Sequence, residues 1–415
     1  MITPPQIFTL LLWPLFLAVL AIWTGASLYF LVTTIRHGQR ANALRDAREA
    51  LSALTAGGAT EPATADVQAL LSARPLDVVL ALVADGGAQS SPGLANAAVA
   101  RIGRSQLERL VVASAPPSQN WRRIAAMHLL ASASTPGPLV ALLRRTLDDV
   151  DQEIVGASLA ALGRIPQLDA AAALIDALKT SKYAASRIAT YIDQIPLPMA
   201  DLLRPLLHHP DITVRYWGAT LISRHPAAGI EGDLVLLTHD AAPLVRKAAI
   251  ASMARIAPAA AVPAARELMA DSVWYVRAHA VRALADAAGP DAADEITPLL
   301  ADPEWWVRLA ARESLQAMGE EIWSTLVPYL DHEDAFARNG AAEVLQNIGV
   351  LDSLIVLEAA TSRPSPVKLE MLRKIAAAGG TRMTEALLER VDADSQLRVR
   401  RLLTTLGLEP TEVRL

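Results

Sequence analysis

The sequence predicts an all-α protein: a right-handed α-solenoid of about ten helical-hairpin repeats, preceded by one transmembrane helix. Three observations predict this fold. An arginine recurs about every 31 residues, an aspartate stands six residues before it in the clearest repeats, and the segment Ile2–Ile35 carries no charged side chain. A repeat of roughly 20 to 50 residues is typical of stacked-repeat proteins, which lengthen by adding units instead of enlarging one core.

The clearest repeats share one pattern and lie at residues 240–246, 271–277 and 302–308. In each, a valine precedes the arginine, a small residue follows three positions later, and a large apolar residue follows seven positions later. Val276, Ala280 and Leu284 are four apart, so they share one helical face. The same register places the arginine column at Arg122, Val155, Arg187, Arg215, Arg246, Arg277, Arg308, Arg338, Lys368 and Arg398.

Each repeat is predicted to contain two helices. In the repeat at residue 302, Asp302 is a suitable N-cap and Pro303 suits the first helical position. The helix should continue to about Met318, and Gly319 should end it. Residues 320–330 then supply the first helix of the next repeat, and runs of alternating β-formers are lacking.

The pattern resembles the HEAT repeats, in particular the short HEAT-like repeats first associated with phycobilin lyases, over roughly residues 90 to 407. In that family the aspartate and arginine columns form a hydrogen-bonded ladder between neighbouring repeats. Carried to this chain, the resemblance implies the ladder pairs Asp240 with Arg246, Asp271 with Arg277, and Asp302 with Arg308. At three positions another residue replaces the aspartate, which implies that the ladder is interrupted there: His209, His332 and Ser362. Because HEAT solenoids are mostly scaffolds and adaptors, the resemblance implies a role in binding protein partners.

The N-terminal segment is predicted to be a membrane anchor. A helix needs about 20 apolar residues to cross a bilayer, and the uncharged segment is longer than that. A cleaved signal peptide is the alternative, but it requires a basic region before its apolar core. Basic residues only follow the span, at Arg36, Arg40, Arg45 and Arg48. Positive flanks stay in the cytoplasm, so we expect an inner-membrane protein with its N-terminus outside and its solenoid cytoplasmic.

Four segments follow from these patterns: the anchor, a juxtamembrane helix with a hinge, the solenoid and a short tail, at residues 1–36, 37–60, 61–408 and 409–415. The juxtamembrane helix is amphipathic, because one side carries Leu44, Ala47, Leu51 and Leu54. Ala21 and Gly25, four apart in the anchor, are compatible with a homodimer.

Composition argues against several classes of function. The net charge is −5, so no global basic field attracts nucleic acid, and cysteine is absent, which excludes thiol catalysis and thiolate metal sites. Arginine far outnumbers lysine, which favours a bacterial genome of high GC content. HEAT-like enzymes such as the deoxyhypusine hydroxylase hold metals with several His-Glu pairs, whereas His332-Glu333 is the one such pair here. We expect no cofactor and no enzyme activity, with a HEAT-like lyase or enzyme-accessory protein as the alternative.

Bulky aromatic residues stand just before the arginine column in three consecutive repeats, at Trp274, Tyr275, Trp305, Trp306 and Phe336. At about 100° per residue, Trp274 points some 200° away from core-facing Val276, and Tyr275 about 100° away. These side chains therefore cannot all enter the core. Two interpretations stay open: packing between repeats, with Trp305 stacked near Arg308, or a surface that anchors a protein partner.

Overall fold

The computed structural model describes most of the chain, namely residues 41–54, 64–85, 92–113, 116–133, 138–180, 183–225, 229–361, 365–379 and 392–407, with isolated positions between 23 and 39 and at 363. The described part is helical and contains no β-strand, which confirms the predicted all-α class there. Most of the predicted anchor, most of the hinge and the whole tail lie outside the described residues. Two compact units divide the chain, at residues 1–197 and 198–415.

The first unit stacks helical hairpins. In the first of its two rows, α5 packs against α7 and α7 against α9; in the second, α6 packs against α8 and α8 against α10. The helices are α1 (41–54), α2 (Thr64–Ser72), α3 (Leu76–Asp85), α4 (Pro92–Ile102), α5 (Arg104–Val112), α6 (Asn120–Ser132), α7 (Leu139–Thr146), α8 (Gln152–Gly163), α9 (Leu168–Thr180) and α10 (Ala185–Asp193).

The second unit repeats the plan more regularly. The second helix of each repeat packs on the next, in the order α12, α14, α16, α18, α20 and α22. The helices are α11 (Ala200–Leu203), α12 (Ile212–Ile222), α13 (Glu231–Thr238), α14 (Pro243–Ile256), α15 (Pro258–Leu268), α16 (Trp274–Ala288), α17 (Ala293–Ile296), α18 (Trp305–Ala317), α19 (Trp323–Leu326), α20 (Ala335–Asn347), α21 (Val350–Ala360), α22 (Pro366–Gly379) and α23 (Ala393–Leu406).

The periodic columns form the core of the second unit. The residue before each arginine is buried, at Val214, Val245, Val276, Val307 and Ala337. The small residue three positions after each arginine is buried against a neighbouring helix, at Gly218, Ala249, Ala280, Ala311 and Ala341. The large residue seven positions after it is fully buried, at Ile222, Met253, Leu284, Leu315 and Leu345. Each column faces one interior because its members recur at helical spacing on stacked helices.

The predicted start of the second helix was wrong by two residues. α18 begins at Trp305 with Glu304 as its N-cap, so Asp302 lies before the helix. The carboxylate of Asp302 instead accepts a hydrogen bond from the Glu304 N–H at 2.8 Å, which closes a tight turn between the two helices of the repeat. Gly319, at φ 78°, ends the repeat as predicted, because glycine adopts positive φ without strain.

The first helix of the next repeat is also broken. The predicted helix over residues 320–330 consists of a 3₁₀ turn at Glu320–Ile322, helix α19 and a second 3₁₀ turn at Val327–Asp331. Pro328 explains the break, because proline has no N–H to donate and its ring clashes with the preceding turn.

Within the described residues, no single helix has the length and apolar composition that a bilayer span requires. The bent pair Ala335–Asn347 and Val350–Ala360 meets that requirement by length and composition alone.

Candidate partner-binding site

Four large aromatic side chains are exposed in the first turn of the second helix of three successive repeats. The exposed fractions are 37% for Trp274, 48% for Trp305, 52% for Trp306 and 59% for Phe336. Tyr275 is half-buried. These residues lie in the first turns of α16, α18 and α20, and the buried residues Val276, Val307 and Ala337 follow them directly, so helical geometry turns the aromatics outward. We call Trp274, Tyr275, Trp305, Trp306 and Phe336 the aromatic row.

Three of the tryptophans form a continuous set of ring contacts. Trp274 stacks on Trp306 of the next repeat, with ring centroids 6.2 Å apart and planes 20° apart. Trp305 meets Trp306 edge to face at 4.6 Å, and Tyr275 meets Trp274 edge to face at 5.5 Å. Such pairs stabilise one another and hold the rings in place. The row therefore packs between repeats on one side and faces solvent on the other.

An arginine ladder runs beside the aromatic row through the second unit. Arg246 donates from Nε and Nη2 to both carboxylate oxygens of Asp271, at 2.8 and 2.9 Å. Arg215 makes the same bidentate pair with Asp240, and Arg277 makes it with Asp302. These carboxylates are almost fully buried, and the planar guanidinium fork matches them.

The ladder pairs implied by the family resemblance are wrong by one repeat: the carboxylate partner of each arginine lies in the following repeat, not in its own. Each arginine pairs with the aspartate of the following repeat, 25 residues later, because the guanidinium extends toward the next hairpin. The arginine also contacts the aspartate of its own repeat, but there its Nη1 donates to the main-chain oxygen of that aspartate and not to the carboxylate. This bond joins Arg246 to Asp240 and Arg277 to Asp271, both at 2.9 Å, and Arg308 to Asp302 at 2.7 Å.

The protonation of the ladder follows from this pairing. Burial is the largest single influence and raises the pKa of the Asp240 and Asp271 carboxyls, but the arginine hydrogen bonds, a main-chain N–H bond and the neighbouring arginine charges together outweigh it, so the pKa of each carboxyl lies below its ordinary value. Both aspartates are therefore ionised at neutral pH, as a charged ladder requires.

The first unit contains a similar contact, displaced by one residue from the predicted column. Arg123, next to Arg122, donates from Nε to the Val111 main-chain oxygen at 3.0 Å and from Nη2 to the Asp149 carboxylate at 2.6 Å. Asp149 occupies the aspartate position of the following repeat, six residues before Val155. The periodicity therefore located the repeat at residue 122 but assigned the ladder contact to Arg122 instead of Arg123.

The ladder is interrupted at His332, as its sequence implied. Nδ1 of His332 accepts from the Asp334 N–H at 3.0 Å, which replaces the turn-closing role of the aspartate. The guanidinium of Arg308 lies over the Phe336 ring, 4.1 Å from its centroid, so the ring on which it stacks is Phe336 and not the expected Trp305. Arg308 thereby joins the ladder to the aromatic row.

A cavity of about 230 Å³ lies at this junction, lined by Leu300, Trp305, Arg308, Arg312, Phe336, Asn339, Gly340 and Glu343. Sequence reasoning missed Arg312 and Asn339, because neither belongs to a repeated column. The one sequence signal for this cavity was the histidine at position 332, where the clearest repeats have an aspartate. It marked where the ladder stops but did not show what Arg308 contacts instead. No group of three metal-ligating side chains occurs among the residues the structure describes.

Comparison with known proteins adds a family match. Residues 230–316 match the family model of HEAT repeats. No curated protein matches the sequence. The similar solved structures include an engineered protein, at 19% identity over 88% of this chain and 99% of that one, with a TM-score of 0.36.

Importin beta is similar at 14% identity over 88% of this chain, with a TM-score of 0.47, and the match spans 55% of the importin chain. Human deoxyhypusine hydroxylase is similar at 18% identity over 60% of this chain and 96% of that one, with a TM-score of 0.25. The segment that matches the HEAT repeats contains the stacked pair Trp274 and Trp306 and the ladder pairs Arg246–Asp271 and Arg277–Asp302.

Proposed function

We propose that this chain is a protein-binding scaffold and that the aromatic row holds its partner. HEAT repeats are typical of proteins that bind other proteins, and residues 230–316 match them. The observation that carries the proposal is the exposure of Trp274, Trp305, Trp306 and Phe336 on the second helices of three consecutive repeats. Aromatic residues and arginine dominate the binding energy of protein interfaces, and Arg308 lies over the outermost ring.

The arrangement suits a partner that lies across the row. The rings are held by their mutual contacts, so a partner would find them already ordered and would lose little side-chain entropy in binding them. Contiguous exposed apolar surface costs solubility in a monomer and is typical of interaction sites. The same rings would be buried by a partner and are only half-covered without one.

The proposed setting of the scaffold rests on the sequence alone. The segment 1–36, uncharged from Ile2 to Ile35, would anchor the protein in the inner membrane, and the arginines from Arg36 onward would keep the repeats cytoplasmic. The partner would then be an integral-membrane assembly, such as an envelope polysaccharide or transport complex, or one of its cytoplasmic regulators. The role is non-catalytic, without cofactor or nucleic acid, and Ala21 and Gly25 would allow the anchor to dimerise.

The first prediction concerns partner capture. Trp306→Ala in the full-length chain should reduce capture of the crosslinked partner by about thirtyfold, the equivalent of about 2 kcal/mol, because a central interface aromatic is removed. Trp323→Ala is the matched control, since Trp323 is 46% exposed and contacts no other aromatic ring among the residues that the structure describes. A photoreactive residue at position 336 should crosslink the same partner, and one at position 323 should not.

Stability separates binding from packing at the same residue. Since Trp306 is half-exposed, Trp306→Ala should cost about 1 kcal/mol, below the roughly 3–5 kcal/mol expected for a buried aromatic. Denaturant unfolding of the parent and both variants measures this difference. Equal capture by the parent, Trp306→Ala and Trp323→Ala would refute the aromatic row as the binding surface.

A further inference from the structure

Three ladder arginines divide their guanidinium group in the same way. Nη1 donates to main-chain oxygens within the arginine's own repeat, and the edge formed by Nε and Nη2 donates to a carboxylate of the following repeat. Arg215, Arg246 and Arg277 all follow this rule, with carboxylate distances from 2.7 to 3.0 Å. In these three repeats the fold therefore presents a carboxylate-binding edge and fills it from within.

Arg308 makes the main-chain hydrogen bonds of this arrangement but not the carboxylate pair. Its Nη1 donates to the main-chain oxygens of Asp302 at 2.7 Å and Pro303 at 3.0 Å, as in the other repeats. The position that would supply its carboxylate holds His332, whose ring stacks on Tyr329 and whose Nδ1 accepts from the Asp334 N–H. Within the described part of the chain, no carboxylate pairs with Arg308, although its Nη1 bonds repeat those of Arg277.

The surroundings of Arg308 resemble a receptor for a small anion. The cavity of about 230 Å³ beside it has room for a carboxylate side chain, since a water molecule takes up about 30 Å³. Trp305 and Phe336 form its apolar walls. Arg312 also lines the cavity, and its Nε is buried without a hydrogen-bond partner in the described structure. Glu343, in the same lining, pairs with Nη1 of Arg312 and makes no ion pair with Arg308.

We infer that Arg308 binds the side-chain carboxylate of an aspartate or glutamate in a protein partner, so that the partner completes the ladder at the edge of the aromatic row. This inference rests on the proposed function and names the chemistry of its partner. The planar guanidinium edge matches a carboxylate, and the three internal pairs show the geometry. Among the described residues that line the cavity, Arg308 is the one arginine without a carboxylate pair, and Glu343 lies beside it, which favours a singly charged group over phosphate or nucleic acid.

The decisive variant is His332→Asp, which returns the missing carboxylate to the chain. It should satisfy Arg308 from within, raise the melting temperature by about 2–4 °C, and reduce partner capture at least about tenfold. His209→Asp is the matched control, because Nδ1 of His209 accepts from the Asp211 N–H in the same way at 3.1 Å and lies outside the aromatic row. The control should capture partner as the parent does.

A binding measurement with simple anions tests the chemistry directly. Sodium acetate, sodium phosphate and sodium chloride are added at matched ionic strength to the full-length protein, and the Arg308 Nε–H resonance is followed by NMR after assignment with Arg308→Gln. Acetate should shift it saturably in the millimolar range, chloride should not, and His332→Asp should abolish the effect. The carboxylate site is overturned if phosphate shifts the resonance and acetate does not, or if neither anion shifts it.

The outcomes separate the two proposals. If Trp306→Ala loses the partner and His332→Asp keeps it, the aromatic row binds the partner and the inferred carboxylate contact is wrong. If acetate titrates Arg308 but neither variant changes capture, the anion site exists without the proposed function, and the inference about a protein partner fails. Loss of capture in both variants, with the acetate response, supports the inference.

Discussion

A ladder arginine binds two repeats at once, and this arrangement changes what its removal should do. The sequence implied that Arg277 serves Asp271, whereas the structure pairs Asp271 with Arg246 and leaves Asp302 dependent on Arg277. Only 5% of the Asp302 side chain is exposed, so loss of Arg277 would leave a buried carboxylate without its charged partner. The damage should appear in the next repeat along the chain.

Arg277→Ala should therefore lower the free energy of unfolding by about 1.5–3 kcal/mol, because charge-assisted hydrogen bonds are lost at a buried site. Arg282→Ala on the same helix is the control: its pair with Glu313 is exposed and is worth about 0–1 kcal/mol. Denaturant unfolding checks both. Adding Asp302→Ala to Arg277→Ala should recover part of the loss, and equal effects of the two single arginine variants would contradict the ladder.

At the scale of helices, the small-residue column sets how closely hairpins approach. A Cβ atom added to Gly218 would lie 2.7 Å from the Cβ of Leu206 in the first half of the same repeat, a distance that side chains do not tolerate. Glycine is therefore required by packing there, although its φ angle is helical. Gly232, in helix α13, has no neighbouring atom within 4 Å of the equivalent point.

Gly218→Ala and Gly232→Ala should consequently have opposite effects. Gly218→Ala should destabilise the protein by about 1–3 kcal/mol through overpacking, despite the better helix propensity of alanine. Gly232→Ala should stabilise it by about 0.5–1 kcal/mol, because propensity acts alone at an open site. Thermal unfolding of both variants decides the matter, and stabilisation by Gly218→Ala would show that the hairpin can open to accept a methyl group.

At the scale of the whole molecule, the proposed orientation follows from four arginines after an uncharged N-terminal segment. A reporter that works only in the cytoplasm should be active when fused after Leu415, and one that works only in the periplasm should be inactive. Moving the charges, by replacing Arg36, Arg40, Arg45 and Arg48 with serine and adding lysines near the N-terminus, should shift activity toward the periplasmic reporter. Periplasmic activity of the unaltered chain would reverse the proposed topology.

The sequence alone predicted the repeated helical hairpins and the buried columns, because helical periodicity is local and each repeat reports the same pattern. Val276, Ala280 and Leu284 are fully buried in the structure, as their spacing predicted. It also marked the aromatic row and the substitution at His332. These features depend on residues that lie within one repeat, where spacing along the chain translates directly into position on a helix.

Tertiary structure alone decided the contacts between repeats. Side chains such as Arg277 can reach forward or backward, and only the stacking of the hairpins shows that its carboxylate partner is Asp302. The same stacking brings Arg308 over Phe336 and opens the cavity beside Arg312, residues that share no column in the sequence. Periodicity determines which face of a helix is buried, whereas partners 25 or more residues away depend on the distance and angle between packed helices.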